Sequence, residues 1–300
     1  MKISQQLELI EDFSPRSRIV NVSSVPQRSP FRYPGGKTWL VPRIREWLQS
    51  LSWRPALFVE PFAGGAIASL TVAFEKLAEE VYMSELDAGV AAVWKTIFSR
   101  TGASWLARRI ASYELDRVKC EEDLARRPTS VRELAFLTIL RNRVSRGGIM
   151  APGAGIIDYG EAGRGVHSRW YPQTLRKRIE AIWFHRKQIT FEQRDAFEVL
   201  REFSHRADAA FFIDPPYTAS QKRAGARLYK HFEVDHRTLF EIAARCKGDV
   251  LLTYDNAEEI VTLSKEFGFQ THPVSMKNNH HAEMKELLIG KNLSWCRASA

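Results

Sequence analysis

Short apolar segments that end in turns alternate with helical patterns in two separate parts of the chain. In the first part, ALFVE and VYMSE each precede a run of apolar residues at helical spacing. In the second part, QITFEQ, ADAAFFI and GDVLLTY follow the same scheme, and ELLIGKN predicts a last strand near the C-terminus. Strands that alternate with helices form a parallel sheet covered by helices on its faces. The chain is therefore predicted to be an α/β protein built on such a sheet.

A basic, helical segment interrupts this alternation. Residues 101–185 contain helical patterns and a long glycine-rich loop, GGIMAPGAGIIDYGEAGRG. Residues 101–190 carry 17 Lys and Arg against 9 Asp and Glu, and the whole chain has a formal net charge of +9. Concentrated positive charge favours a polyanionic partner, because contact with phosphates releases counterions, although a solvated face has the same composition. We predict a poorly ordered arm (1–28), a sheet domain (29–100 and 186–300) and an inserted subdomain (101–185).

The composition excludes several other classes of protein. With 44% hydrophobic residues the chain can bury a core, but its longest apolar runs are far shorter than the ~20 residues that span a bilayer. Acidic residues stand near the N-terminus, where a signal peptide needs an apolar core. The three cysteines form no close pair, which argues against a disulfide framework and a cysteine-rich zinc site. We therefore expect a cytoplasmic protein without a membrane partner or a metal.

The first predicted strand ends in a glycine turn, FVEPFAGG, in which Glu60, Pro61 and Phe62 lead to Gly64. Glycine lets the backbone approach a ligand closely, and doubly wound sheets bind ligands at the carboxyl ends of their strands. The dinucleotide pattern G-x-G-x-x-G is absent, which argues against a nicotinamide or flavin cofactor. Glu85 follows Gly64 by 21 residues and is placed to accept hydrogen bonds from a ribose, with Asp87 as the alternative.

A second glycine turn, YPGGKT, opens a predicted helix. Its end resembles a phosphate loop, but that motif requires a glycine five residues before Gly36, where this chain has Phe31. What remains is Lys37 in the first turn of a helix, where a carboxylate or phosphate can bind. A plain surface turn is the alternative.

The most specific pattern is DPPY (214–217), at the end of an apolar strand. Two prolines remove two amide donors, so that carbonyl acceptors remain beside the carboxylate of Asp214. Tyr217 adds a flat ring. Acceptors beside an aromatic face suit an extruded base that carries an exocyclic amino group.

YPGGK, VEPFAGG and DPPY, in this order and separated by a basic insertion, resemble the Dam-type, alpha-group family of DNA adenine N6-methyltransferases. The resemblance extends from about residue 31 to 292 and includes LRNRVSRGG, RDAF and KELLIGKN. One departure is Ala66, which stands where the family's glycine turn has its last glycine. Membership would imply a Rossmann-like methyltransferase sheet as the catalytic domain, with an inserted helical subdomain for DNA recognition.

The resemblance further implies S-adenosylmethionine as the cofactor and a flipped adenine in double-stranded DNA as the substrate, at a specific sequence. The implied site residues fall into three groups. The catalytic group is Asp214, Pro215, Pro216 and Tyr217; the cofactor-binding group is Tyr33, Gly36, Lys37, Glu60, Pro61, Phe62, Gly64, Glu85, Asp195 and Asp214; the DNA-binding group is Arg141, Asn142, Arg143 and Arg146.

Two alternatives stay open at this point. The same tetrapeptide chemistry could serve cytosine N4 or an RNA adenine, and a catalytically inactive nucleic-acid-binding relative could keep the fold. A restriction endonuclease partner is compatible with the resemblance but is not implied by it.

Overall fold

The computed structural model describes residues 25–32, 36–150, 154–216, 234–277 and 283–296. A seven-stranded sheet forms its centre, with the strand order β3-β2-β1-β4-β5-β7-β6. The strands are β1 (Leu57–Glu60), β2 (Glu80–Ser84), β3 (Ile189–Glu192), β4 (Ala209–Ile213), β5 (Asp249–Asp255), β6 (Gln270–Lys277) and β7 (Glu283–Gly290). The first five are parallel, and β7 runs antiparallel to both of its neighbours. This sheet confirms the predicted α/β fold on a mainly parallel sheet.

The strand order reverses between β1 and β4. From β1 the chain proceeds outward through β2 to β3, and it then returns to β4 on the other side of β1. Ligands of open α/β sheets bind at such a reversal, outside the carboxyl ends of the strands. The glycine turn follows β1 and DPPY follows β4, so the fold brings the two motifs to this position.

Ten described helices cover the sheet. They are α1 (Val41–Ser50), α2 (Ile67–Glu75), α3 (Ala88–Phe98), α4 (Gly102–Ala111), α5 (Arg117–Ala125), α6 (Val131–Val144), α7 (Pro172–Phe184), α8 (Ala196–Phe203), α9 (His236–Arg245) and α10 (Glu258–Glu266). An Asp or Ser side chain accepts a bond from a first-turn amide at the start of α3, α5, α6, α8 and α9. Such caps satisfy amides that have no partner within the helix. No helix in these described stretches is long and apolar enough to cross a membrane.

The central strands are buried on both faces. Along β4, Phe211 packs with the cluster that includes α8, α9 and α10, and Phe212 packs with the cluster on the opposite face. That second cluster combines α1 to α3 with α4, α6 and α7 of the basic segment, through Leu106, Ile139 and Ile179. Residues 101–185 therefore form helices that share one core with the sheet.

Two parts of the chain differ from the sequence analysis. Strand β6 has no counterpart among the predicted strands, because it is an edge strand with polar residues and Pro273, which weaken the period-two pattern. Residues 1–24 of the predicted arm lie outside the described residues. In residues 25–28, Val25 is buried against α1 and α2 and Arg28 forms an ion pair with Glu75 at 2.7 Å, whereas Pro26 and Gln27 are exposed.

Candidate active site

Asp214 stands at the end of β4 and is held by two buried side chains. Lys37 Nζ lies 3.0 Å from its Oδ1, and Thr253 Oγ1 donates a hydrogen bond of 2.7 Å to the same oxygen. Thr253 belongs to the adjacent strand β5, and Lys37 belongs to the short 3₁₀ helix that precedes α1. Because both donors meet one oxygen, the carboxylate has a fixed orientation. Pro215 is buried and Pro216 half-buried, and Tyr217 lies outside the described residues.

Lys37 is shared between two carboxylates. Its ammonium also lies 3.5 Å from Glu286 Oε2 on β7, and Glu286 is buried. Lys37 thus joins the end of β4 to β7 in a poorly solvated place. Gly36, just before Lys37, is exposed. Tyr33 lies outside the described residues.

Glu60, at the end of β1, is buried, and its Oε2 accepts a hydrogen bond of 2.8 Å from the amide of Ser69 in α2. Burial, with a smaller contribution from the charges of Asp214 and Glu85, raises the pKa of Glu60 to about 8. Glu60 is therefore mostly protonated at pH 7. Its carboxyl group links the end of β1 to α2.

The glycine turn is fixed to β2 and α3. The amide of Ala63 donates to the carbonyl of Ser84 (2.9 Å), and Ser84 Oγ donates to the carbonyl of Pro61 (3.0 Å). Trp94 of α3 donates its indole N–H to the carbonyl of Gly64 (3.0 Å). The turn is therefore preformed, and Phe62, just before it, packs partly buried against the core.

Two residues of this turn have left-handed backbone conformations, Gly64 with φ 48° and Ala66 with φ 52°. Glycine adopts this region without cost, whereas alanine is strained by about 1 kcal/mol or more. Ala66 thus keeps the backbone conformation that suits a glycine.

Glu85 follows β2 and faces the turn. Its Oε2 accepts from the amide of Gly64 and its Oε1 from the amide of Asp87, both at 2.9 Å. Burial, with a smaller contribution from the charge of Asp87, raises the pKa of Glu85 to about 6. Asp87, the alternative ribose ligand, instead caps α3. Each carboxylate oxygen has two acceptor sites, so Glu85 retains capacity for a ligand hydroxyl.

Asp195 lies beyond β3, on the same edge of the sheet. Ser84 and Glu192 are register partners in β2 and β3, so the segments with Glu85 and Asp195 continue from neighbouring strand ends. Asp195 Oδ1 accepts from the amides of Phe197 and Glu198 as the cap of α8. The predicted contact with a cofactor's adenine amine stays a prediction.

Two of the four residues predicted to contact DNA are buried. Asn142 is 0% exposed and bonds to the backbone of Arg32 and Gly148, and Arg143 is 4% exposed and donates to the carbonyl of Pro30. Burial lowers the pKa of Arg143 to about 9, assisted by the charge of neighbouring arginines. Both side chains are directed at protein backbone. Their contact with DNA stays a prediction.

The other two have different surroundings. Arg141 is half-buried and donates to the carbonyl of Leu124 at 3.1 Å. Arg146 is 66% exposed and forms an ion pair with Asp158, which also pairs with Arg117. Of the four residues, Arg146 is the one whose side chain is largely in solvent, and its contact with nucleic acid stays a prediction.

The sequence analysis does not single out Thr253 and Glu286, which complete the site. Both are polar residues inside otherwise apolar strand patterns, VLLTY and ELLIG. A buried polar side chain needs a hydrogen-bonding or charged partner, and this requirement could have pointed to both residues. Among the described residues, no group of three His, Cys, Asp or Glu side chains could hold a metal ion.

No protein-family model and no curated protein matches the chain. Similar solved structures include the rRNA methyltransferase aviRa from Streptomyces viridochromogenes, with 12% identity over 86% of each chain and a TM-score of 0.40. The tRNA methyltransferase TrmK of B. subtilis has 10% identity over 86% of this chain and 67% of its own, with a TM-score of 0.36. Precorrin-6y C5,15-methyltransferase from Geobacter metallireducens has 10% identity over 84% and 86%, also with a TM-score of 0.36. None of the three is named as a DNA methyltransferase, so the resemblance to the Dam-type family rests on the motifs.

Proposed function

We propose that this chain transfers a methyl group from S-adenosylmethionine to the exocyclic N6 amine of adenine in double-stranded DNA. The observation that carries the proposal is the fixed carboxylate of Asp214, followed by two prolines, beside the glycine turn at the strand-order reversal. A carboxylate and a proline carbonyl form an acceptor pair that matches an amino group. In general terms, the proposed activity is methyl transfer to an amine of a nucleic acid. In specific terms, this amine is the N6 of adenine in DNA.

The residues around the glycine turn fit the cofactor. Gly64 offers a left-handed turn into which a ligand can approach, Glu85 has acceptor capacity for ribose hydroxyls, and Asp195 carries a carboxylate on the next strand end. When bound, S-adenosylmethionine supplies an electrophilic methyl group on a sulfonium.

Asp214 would activate the amine through hydrogen bonding. The lone pair of an aromatic amine is delocalised into the ring, and two acceptors, Asp214 and the carbonyl of Pro215, favour a pyramidal nitrogen whose lone pair points at the methyl carbon. Positive charge develops on nitrogen as the N–C bond forms, and an adjacent carboxylate stabilises it. The electrons of the broken S–C bond remain on sulfur, and one amine proton leaves to solvent.

Lys37 and Thr253 would hold Asp214 in the orientation that the amine requires. Placement of reacting groups contributes much of the rate enhancement in such a displacement. The missing amide hydrogens of Pro215 and Pro216 leave no backbone donor there to compete for the carboxylate. Tyr217 would stack on the extruded base and recover part of the cost of unstacking.

The basic helices α4 to α7 support a nucleic-acid substrate. They carry most of the excess positive charge of the chain and stand on the face of the sheet that α1 to α3 also cover. Phosphate contacts provide affinity that depends strongly on salt.

The test is nucleoside mass spectrometry after incubation of the purified protein with S-adenosylmethionine and, separately, plasmid DNA, single-stranded RNA and tRNA. We expect N6-methyldeoxyadenosine from DNA, and none with Asp214→Asn, which keeps the side-chain shape but removes the charge. Product found only as N4-methylcytosine, or only in RNA, would overturn the substrate. Cofactor binding without any product would favour an inactive nucleic-acid-binding relative.

A further inference from the structure

Asn142, in the last turn of α6, is paired with the peptide backbone of Arg32. Its Oδ1 accepts from the amide of Arg32 at 2.8 Å, and its Nδ2 donates to the carbonyl of Arg32 at 2.9 Å. A second Nδ2 bond, of 2.8 Å, reaches the carbonyl of Gly148. The side chain is fully buried, so the three bonds are made without competition from water.

The segment on either side of this pair is held from the same direction. Arg143 donates to the carbonyl of Pro30, and Arg178 of α7 donates to the carbonyl of Ser29 at 2.9 Å. Gly148 lies so close that a Cβ at its position would stand 2.4 Å from the carbonyl oxygen of Arg32. Residues 29–32 are therefore clamped by the basic helices.

The clamped segment leads directly into the candidate active site. Phe31 packs against Trp94, with ring centroids 5.7 Å apart, and Trp94 donates to the carbonyl of Gly64 in the glycine turn. Five residues after Arg32 comes Lys37, which contacts Asp214. Displacement of residues 29–32 would thus reach both the glycine turn and the lysine.

We propose that Asn142 is a positioning residue for the cofactor, which acts through residues 29–32 and touches neither cofactor nor nucleic acid. This inference rests on the proposed function, because it takes S-adenosylmethionine as the ligand of the glycine turn. The basic helices then help to form the cofactor site. The predicted division of the chain, by contrast, gives them nucleic-acid recognition alone. Because cofactor and nucleic acid then act on one clamped segment, binding of either can alter the affinity for the other.

Two variants disturb the clamp from opposite sides, and a third serves as their control. Asn142→Asp keeps the acceptor for the amide of Arg32 and loses both donors. Gly148→Ala places a methyl group against the carbonyl of Arg32. Gly147→Ala introduces the same strain of a positive φ (68° against 77° for Gly148), but its Cβ meets only the side chain of Ile149, at 3.6 Å. Gly147→Ala therefore controls for loss of stability.

We expect Asn142→Asp and Gly148→Ala to weaken the binding of S-adenosylmethionine, measured by calorimetry without nucleic acid, by about tenfold or more. Gly147→Ala should remain within about twofold of the unaltered chain. Hydrogen exchange of the amides of residues 36–41 should be faster in the first two variants than in the control. This second measurement needs no ligand, so it separates failure of the inference from failure of the proposed function.

Equal exchange at residues 36–41 in all three variants would overturn the proposal, whether or not the cofactor binds. If the unaltered chain binds S-adenosylmethionine, equal affinity in all three variants would overturn it as well. If the unaltered chain binds no S-adenosylmethionine but the two clamp variants exchange faster, the proposed function fails and the mechanical link stands. If Asn142→Asp does not fold, the comparison of Gly148→Ala with Gly147→Ala decides alone.

Discussion

Thr253 Oγ1 lies 2.7 Å from Asp214 Oδ1, the oxygen that Lys37 approaches to 3.0 Å. The hydroxyl sits on a central strand and is fully buried, so its position is set by the sheet. It therefore fixes a carboxylate that follows the neighbouring strand. Asp214 lies just after β4, and this hydrogen bond to the sheet fixes the orientation of its carboxylate.

Thr253→Val should lower kcat for methyl transfer by about fivefold to thirteenfold, because it removes one donor worth about 1–1.5 kcal/mol and keeps the side-chain shape. Thr253→Ser retains the hydroxyl and should lose much less. The KM for S-adenosylmethionine should change little in either variant. Steady-state kinetics with radiolabelled methyl donor would measure both constants. Equal kcat values for the Val and Ser variants would show that the hydroxyl does not orient Asp214.

Six of the seven described strands could be predicted because each contains a short run of strand-forming residues that a turn signal ends, and β6 could not. The sequence pattern also placed both motifs after strands, and the order of the strands then determines that they meet. The contact of Thr253 with Asp214 could not be predicted in this way, because it depends on β4 and β5 being neighbours in register, with Ile213 opposite Leu252. Glu286 required the additional fact that β7 inserts antiparallel beside β5.

The same limit explains Asn142 and Arg143. In the sequence LRNRVSRGG they stand among arginines and suggest a solvent-facing basic helix end. Their burial depends on the approach of residues 29–32, which are more than 100 positions away along the chain. Local composition predicts charge, but it does not predict which charged or polar side chains the tertiary packing turns inward.

Ala66→Gly should stabilise the protein by about 1 kcal/mol, because the residue has φ 52° and glycine adopts this conformation without strain. Lys76, at the exposed end of α2, has φ 54° and offers a matched case, so Lys76→Gly should also raise the free energy of unfolding. Ala68→Gly, inside α2, should destabilise by roughly 0.5–1 kcal/mol. Urea unfolding at one pH would measure all three. A loss of stability in Ala66→Gly would mean that the alanine methyl contributes more through packing than it costs in strain.

The stability of the protein should fall between about pH 4.5 and 8 because of Glu60. Its pKa is raised from an ordinary 4.5 to about 8, so the folded state binds more protons than the unfolded state in this window. The free energy of unfolding then decreases as pH rises, with a slope of up to about 1.4 kcal/mol per pH unit, and levels off above pH 8.

Glu60→Gln should remove this part of the pH dependence, since glutamine keeps the acceptor for the amide of Ser69 and does not ionise. The variant should retain the decrease between about pH 4.5 and 6 that Glu85 contributes, because the pKa of Glu85 is raised to about 6. Urea unfolding at intervals from pH 5 to 9 would measure both profiles. Parallel profiles of variant and unaltered chain would contradict the assignment to Glu60.

Arg146→Ala should weaken binding to DNA at all sequences and lower the magnitude of the salt slope by about one, if the exposed guanidinium contacts a phosphate. Release from Asp158 costs little, because an exposed ion pair contributes at most about 1 kcal/mol.

Arg245→Ala is the matched control: Arg245 is also exposed and ion-paired, with Glu241, but it belongs to α9 on the opposite face of the sheet. Fluorescence anisotropy of a labelled duplex, at salt concentrations from about 50 to about 300 mM, would measure the DNA affinity of both variants. Cofactor affinity without DNA should be unchanged in each, since neither arginine contacts residues 29–32 or the glycine turn. If Arg146→Ala and Arg245→Ala change the salt slope equally, the surface that binds nucleic acid lies away from the loop that follows α6.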